Sequence, residues 1–520
     1  MKYPIGIQDF ESLRKDGFSY VDKTGLVYKL VSEGRYYFLS RPRRFGKSLL
    51  ISTLSAYFEG KRELFDGLAI ERLEKEWVSR PVLHLDLNTE KYDETESLDR
   101  VLNRYLLEWE KTYGRESDEA TPWGRFYNIV KRACEQTGHR VAILVDEYDK
   151  PLLQTLDNPE LQTAHRNTMK AFYSVCKTLD RYIKFAFFTG VTKFSKVSVF
   201  SDLNNLKDIS LDYRFVNLCG ITEEELHRNF DTEVGDFALA NGMTKEECYA
   251  KLKRQYDGYH FHYRSAGLYN PFSLLNALDA QEFRNYWFET GTPTFLVEVL
   301  QKNDYALNNL TSETVSGDDL MGLDTAMRNP VPLIYQSGYL TIKDYDAEFE
   351  MYRLGYPNKE VEEGFANFLM PYYTPVRKSE SRFFVGNFVK DLREGNVEGF
   401  MTRLQAIFAD GSYPVQGDRE VYFQNCMAVI LKMLGFYVEV ERTTSNGRID
   451  VTIQTPGFVY IMELKRDGTA EEAIQQIHDK HYADAFLADP RQLYIIGVAF
   501  SSDSRRLEEW NFVNKPPKLC

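Results

Sequence analysis

Four short apolar runs mark the N-terminal part of the chain: RYYFLS (Arg35 to Ser40), PVLHLDL (Pro81 to Leu87), VAILVDE (Val141 to Glu147) and IKFAFFTGV (Ile183 to Val191). Each is rich in β-branched or aromatic residues and nearly free of charge, as strands buried on both faces should be. Stretches with helical spacing separate them. The region from Met1 to about Gly220 therefore predicts a parallel sheet flanked by helices. From Ile221 the pattern turns helical. TEEELHRNF opens at Thr222 with Glu225 three residues on, a capping box in which each side chain satisfies an orphan backbone N–H group. NPFSLLNAL from Asn270 and TPTFLVEVL from Thr292 each set a cap residue ahead of a proline, which suits a first helical turn because it has no N–H to lose. Residues 221–342 thus read as a helical lid domain. Residues 343–413, which contain the strand-like FEMYRLGYPNKEV, read as a connector. From residue 414 mixed α/β patterning returns: a helix from about Arg419 to Leu434, the strands YVEVERT, RIDVTIQT and FVYIMELK, the helix AEEAIQQIHDKHYADAF and the strand LYIIGVAF. Period-two alternation in RIDVTI gives that sheet one more polar face.

The chain has 520 residues, more than one hydrophobic core organises, so about two to four domains are expected. With 43% apolar and 27% charged residues it has ordinary soluble composition. The start carries no basic flank followed by an apolar stretch, and no run reaches the ~18 apolar residues of a membrane helix. Six scattered cysteines form no close pair, so neither a zinc knuckle nor a disulfide framework is expected, and a reducing cytoplasm is the expected location. A net charge of −13 means that a nucleic-acid partner must be met by a local basic groove.

FLSRPRRFGKSLL, from Phe38 to Leu50, has the form of a phosphate-binding loop between a strand and an amphipathic helix. Gly46, Lys47 and Ser48 supply the turn, the ammonium for outer phosphates and the hydroxyl for magnesium. Arg41 stands where a glycine is usual, so the turn must be entered with negative φ. Arg43, Arg44 and Phe45 complete the loop, and the two arginines add positive charge where phosphates would lie. VAILVDEYDKP then ends a strand in adjacent carboxylates. Asp146 is placed to hold magnesium through water and Glu147 to polarise an attacking water, with Thr189, at the end of a later strand, a candidate sensor of the terminal phosphate. ATP and Mg2+ are the expected ligands.

GRIDVTIQTPGFVYIMELKRDG carries Asp450 on one strand and Glu463 and Lys465 on the next, the latter two on one face because they are two residues apart. Paired as a hairpin, these strands would assemble two carboxylates and a lysine, the set that metal-assisted phosphodiester hydrolysis requires. Glu420 on the preceding helix would complete the metal shell, and Gln476 and Tyr482 lie on the helix that follows. The histidines at 478, 481, 260 and 262 lack further soft ligands nearby and make no zinc site.

PIGIQDFESLR, YVDKT, YFLSRPRRFGKSLL and ILVDEYDKP together resemble the AAA-ATPase-like family found in Bacteroidetes and Firmicutes, over most of Met1 to Gly220. The resemblance implies a P-loop core of the inserted-strand type, the arginine-bearing loop, and an N-terminal motif near the nucleotide that includes Asp22 and Lys23. The order Glu420, Asp450, Glu463-x-Lys465, Gln476 resembles the PD-(D/E)xK nuclease superfamily, although Ile449 replaces the proline of its name. The expected function is an ATPase fused to a Mg-dependent nuclease acting on nucleic acid, with DNA the expected substrate. A nucleotide-controlled switch or scaffold that binds nucleic acid without cutting it is the alternative. Oligomeric state is open, a homo-oligomer included.

Overall fold

A computed structural model describes residues 1–116, 120–193, 199–200, 203, 205–289, 295–311, 313–322, 329–377, 380–409, 419–435, 437–445, 448–486, 489–501 and 506–515. The chain forms two compact units, one of Met1–Gly291 with Leu310–Val361, the other of Thr292–Asn309 with Glu362–Cys520. The helices between Glu223 and Ala280 thus belong to the same compact unit as the N-terminal sheet, whereas the helix Phe295–Lys302 belongs to the other.

In the first unit, helix α1 (Thr24–Glu33) leads into strand β1 (Tyr36–Ser40), and helix α2 (Lys47–Phe58) follows the loop. Strands β2 (Val82–Asp86), β3 (Val141–Asp146) and β4 (Ile183–Gly190) coincide with the three remaining apolar runs, and a two-residue strand β5 (Lys207–Asp208) completes the sheet. The order is β2-β3-β4-β1-β5, all pairs parallel. Strand β4 is therefore inserted between the loop-bearing β1 and the carboxylate-bearing β3, the inserted-strand topology that the resemblance implied. Strands β1 and β3 are buried along their whole length. Helices α3 (Ser97–Tyr113), α4 (Pro122–Thr137) and α5 (Pro159–Thr178) supply amphipathic cover.

Helices α6 (Glu223–Ala240) and α8 (Pro271–Ala280) begin where their caps predict, α7 (Lys245–Tyr256) starts at a further capping box of Thr244 and Glu247 that the sequence reading did not single out, and the expected cap at Thr292 lies outside the described residues. Thr222 and Glu225 form the capping box, and the Asn270 side chain accepts from the N–H groups of Phe272 and Ser273. These helices share a core around Leu226, Phe230, Phe237, Tyr256 and Leu274. Residues read as lid and connector also form a small antiparallel sheet of β6 (Thr314–Ser316), β7 (Thr341–Asp346) and β8 (Met351–Gly355), in the order β6-β8-β7. Of these only β8 was visible in the sequence pattern.

The second unit contains helices α9 (Ser381–Glu394), α10 (Val397–Ala409) and α11 (Arg419–Leu434) and a five-stranded sheet. Its strands are β9 (Glu439–Ser445), β10 (Arg448–Gln454), β11 (Phe458–Arg466), β12 (Gln492–Phe500) and β13 (Leu507–Lys515), in the order β13-β12-β11-β10-β9. Only β11 and β12 run parallel. The crossover between them carries helix α12 (Ala470–Asp479), which ends seven residues before the expected Phe486 because His481 adopts the left-handed conformation, φ 57°. No described helix is long and apolar enough to cross a membrane.

Candidate functional site

At the end of β1 the chain enters the loop through Arg41, which keeps a negative φ; the left-handed residues are Arg44, φ 66°, and Gly46, φ 91°. The freedom usually supplied by an early glycine is thus displaced to the far side of the turn. Arg41 is not a phosphate ligand. Its side chain is 1% exposed, donates to the carbonyls of Ser40 and Ser210 at 2.8 Å each, and lies 4.0 Å from the centre of the Phe261 ring. It bolts the loop entry to two later segments, and burial pulls its guanidinium down to about 10, still protonated at neutral pH. Phe45 packs edge-on against Tyr259 and Phe261, and the Trp287 indole donates to the Arg43 carbonyl. Gly338 is required here, since a Cβ would lie 2.6 Å from Pro42. These contacts leave Arg43, Arg44 and Gly46 exposed on a loop whose backbone is fixed.

Helix α2 starts at Lys47, so its unpaired N-terminal amides and Gly46 face the same side as the loop. The Lys47 ammonium, 4% exposed, lies 3.4 Å from the Pro42 carbonyl and 3.6 Å from Glu147 Oε1. Ser48 lies close enough to Asp146 to lower its carboxyl pKa, so the two residues assigned to magnesium are brought together across the sheet. Burial and the adjacent Glu147 push the Asp146 carboxyl up to about 6, against the lowering pull of Ser48 and Lys47. Glu147 is held in the left-handed region, φ 50°, while its N–H bonds to Asp146 Oδ1 at 2.9 Å. A non-glycine residue in that conformation stores strain of the kind concentrated at working sites. Two carboxylates beside one ammonium leave a charge deficit. A divalent cation would offset it, and Ser48 and Asp146 are the oxygen-bearing side chains that would hold one there.

Thr189 is fully buried and its hydroxyl donates to the Leu39 carbonyl at 2.8 Å, so the described structure engages it in holding β4 to β1. Asp149, which carries no role in the sequence reading, is fully buried beside it. It accepts from Val191 N–H at 3.3 Å, Thr192 N–H at 2.6 Å and the Thr192 hydroxyl at 2.5 Å, tying the loop after β3 to the loop after β4. Its signal was the second aspartate of VDEYDKP, three residues beyond Asp146. Asp86 ends β2 in register with Asp146 and adds to the acidic rim.

Next to the loop lies a cavity of about 100 Å³, bounded by Tyr20, Val21 and Lys23 of the N-terminal segment, by Gly46 and Leu49, and by Ile221. Asp22 accepts from Thr24 and from the Ala69 N–H, which fixes the start of α1. Lys23 donates to both oxygens of Glu225, at 2.7 and 2.6 Å. Burial pulls the Lys23 ammonium below the ordinary lysine range, opposed by the charge of Glu225.

In the second unit, β10 and β11 pair as the expected antiparallel hairpin, and residue 450 stands directly across from Glu463. The side chains of Asp450 and Glu420 lie outside the described residues. Glu463 is fully buried in the centre of the sheet, and the Gln476 amide donates to its Oε1. Lys465, two residues on, is half-buried. The approach of α12 rests on Gly497, the register partner of Glu463 on β12, where any Cβ would lie 2.0 Å from the Ala470 carbonyl. A Thr469–Glu472 capping box sets the helix start, and Ile477 anchors it among Val459, Ile461 and Ile495. Tyr482 lies past the end of α12 and is 37% exposed.

Comparison with known proteins agrees with this division. Residues 4–200 match the family model described as a predicted AAA-ATPase, and residues 418–510 match that of the PD-(D/E)XK nuclease superfamily. Over 518 residues the chain is 38% identical to an uncharacterized protein in the vnfD 5′ region of Azotobacter chroococcum, covering 97% of each. The chain belongs to the predicted AAA-ATPase family. It carries in addition a nuclease-superfamily domain at its C-terminal end. Among solved structures, the Aeropyrum pernix ORC2 protein, in ADPNP and ADP complexes, matches at 11% identity over 64% of this AAA-ATPase-like chain and 87% of its own, with a TM-score of 0.18.

Proposed function

We propose that the protein binds and hydrolyses ATP at the loop of the first unit and cleaves nucleic acid, DNA foremost, at the carboxylate centre of the second. The observation that carries the first half is the convergence of Lys47, Ser48, Asp146 and Glu147 from two non-adjacent strands. The loop amides, Arg43, Arg44 and Lys47 bind and neutralise the phosphates, and Ser48 and Asp146 hold magnesium. Glu147, on its constrained backbone, orients the attacking water and accepts its proton. Lys47 is within ion-pair distance of Glu147, and a phosphate that drew the ammonium away would free the carboxylate for this work.

The second half rests on a buried glutamate that a folded protein would not keep for stability alone. Glu463 and its register partner Asp450 would hold magnesium, with Glu420 and Gln476 in support. Lys465 would orient the water that attacks the phosphorus. Magnesium at each centre supplies charge neutralisation and polarises the phosphate oxygens when bound. The test is incubation of the purified protein with supercoiled plasmid and MgCl2, alongside an Asp450→Ala variant and a chelator control. Nicking by the unmodified protein alone is expected. Plasmid retardation without nicking by both proteins would establish the non-cleaving switch instead.

A further inference from the structure

Each of the four long strands of the N-terminal sheet is entered through a basic residue. Arg35 stands one position before β1, Arg80 two before β2 and Arg140 one before β3, and Lys184 is the second residue of β4. Because β2, β3, β4 and β1 are neighbours and all parallel, these positions fall on one row along the edge of the sheet. Register keeps the row tight. Val82 pairs with Ala142, which sets Arg80 opposite Arg140, and Tyr36 pairs with Ala186, which sets Arg35 opposite Phe185, next to Lys184. Ile183 and Phe185 take the adjacent β3 residues Val141 and Ala142 as partners, so Lys184 is the extra residue of a bulge. At ~4.8 Å between strands the row spans about 15 Å.

Most of this charge is left uncompensated. Arg35 is held by Asp180 at 3.2 Å and by the carbonyls of Asp180 and Ile183. Among the described residues, Arg80, Arg140 and Lys184 form no ion pair. Glu74 and Glu76 act on Arg80 from farther off, and Glu74 is engaged by the Tyr57 hydroxyl and the N–H groups of Lys75 and Glu76. Burial is the first cause that pulls the Lys184 ammonium down, and the guanidiniums of Arg80, Arg140 and Arg35 pull it further. Like charges on adjacent strands destabilise a sheet, so the row calls for an outside anion. That anion is not the nucleotide: Lys47 and Asp146 lie at the opposite ends of the strands, about 20 Å away along the 6 residues of β3. We propose that the row is a further nucleic-acid contact, gripping the phosphate backbone of duplex DNA without reading its bases. A line of cations matches a repeating polyanion, and a chain of net charge −13 can meet DNA only through such a local basic surface. The nuclease-superfamily domain on the same chain supplies the reason for the partner. This inference rests on the nucleic-acid reading above.

The experiment is fluorescence anisotropy of the full-length protein with two labelled DNA duplexes of unrelated sequence, between about 50 and 200 mM salt. EDTA is present so that no cleavage intervenes, and plasmid nicking in MgCl2 is measured alongside. The variant Arg80→Ala/Arg140→Ala/Lys184→Ala should bind both duplexes at least about tenfold more weakly at the low-salt end. The slope of log affinity against log salt should fall in magnitude by about 3, one for each lost phosphate contact. Arg80→Lys/Arg140→Lys keeps the charges and should keep the slope. Arg140 is exposed, so Arg140→Glu serves if the triple variant does not fold, and it should lower the slope by about 1. An unchanged slope in these variants, while the unmodified protein still binds DNA, overturns the row and leaves the nucleic-acid reading standing. Nicking without measurable binding in EDTA also overturns the row alone, whereas neither binding nor nicking overturns both. Loss of affinity for one duplex only overturns the base-independent grip. Row-dependent flotation with phosphatidylserine–phosphatidylcholine vesicles, with DNA affinity untouched by the substitutions, assigns the row to an anionic membrane instead.

Discussion

In the first unit the reactive groups hang from the ends of elements: Lys47 opens a helix, Asp146 closes a strand, and Glu147 follows it. In the second they stand inside one. Glu463 and Lys465 lie within β11, which is paired on both sides by β10 and β12. Ends of elements have unpaired backbone groups and free directions, so the first site is made of loop amides, a strained Glu147 and an ammonium shared between alternative partners. An interior strand position has neither. The second site is therefore held by sheet register and by the helix that Gly497 admits, and its geometry cannot shift without disturbing the core. On the proposed reading, the first centre would respond to its ligand and the second would hold still.

Substitutions should separate these two behaviours. The largest effect is expected for Glu147→Gln, which should lower ATP hydrolysis by about 10²–10⁴-fold, the contribution of a positioned general base, while calorimetric ATP affinity stays within about threefold. Parallel loss of affinity would show that Glu147 serves binding instead. Lys47→Ala should reduce both ATP affinity and phosphate release, the latter by about 10²–10³-fold as for other phosphate clamps. DNA cleavage by that variant, with and without ATP, asks whether the centres communicate; identical cleavage in every condition makes them independent.

Gln476→Ala removes the amide donor from a buried carboxylate and should lower plasmid cleavage about 10–100-fold, as loss of a supporting contact at a metal site does. ATP hydrolysis should be unaffected, and denaturant unfolding of the second unit should shift to lower concentration. Gly190→Ala places a Cβ 2.2 Å from Asp149 Oδ1 and should destabilise the first unit by about 1–3 kcal/mol, as overpacking does, visible in the same unfolding experiment.

The smallest effect is a pH dependence. Because the fold raises the Asp146 carboxyl to about 6, the folded state favours its protonated form. The stability this contributes is complete below the ordinary aspartate value of about 4 and is lost as pH rises through about 6. The thermal shift produced by MgATP should accordingly be larger at pH 8 than at pH 5, and Asp146→Asn should flatten that difference. An unchanged profile in the variant would assign the dependence to another group.

Much of both centres is written in local sequence. The apolar runs became β1 to β4: β1, β3 and β4 are buried on both faces, as uncharged runs flanked by helices should be, whereas β2 leaves His84 exposed. Thr222 with Glu225, and Asn270 before Pro271, located helix starts because capping is decided within a single turn. Gly46-Lys47-Ser48 and Asp146-Glu147 were legible for the same reason, their chemistry lying within a few bonds of a strand end. The spacing of Glu463 and Lys465 put them on one face, and the hairpin with Asp450 followed from the short gap between the strands.

What sequence could not supply required residues far apart in the chain to meet. Nothing in RPRRFGKS announces that Arg41 lies against Phe261 and accepting carbonyls at Ser40 and Ser210, or that Asp149 binds the backbone after β4. Lys23 met Glu225 across 202 residues of sequence, and no periodicity reports such a pair. Strands β5, β6, β7 and β13 escaped because short or mixed-polarity strands are stabilised by their neighbours rather than by their own composition. Local patterning determined which elements form and which reactive groups they carry, since caps, turns and alternation act over a few residues. Tertiary structure alone decided which carboxylate each lysine faces and how deeply each is buried, because desolvation and ion pairing depend on what the rest of the fold brings alongside.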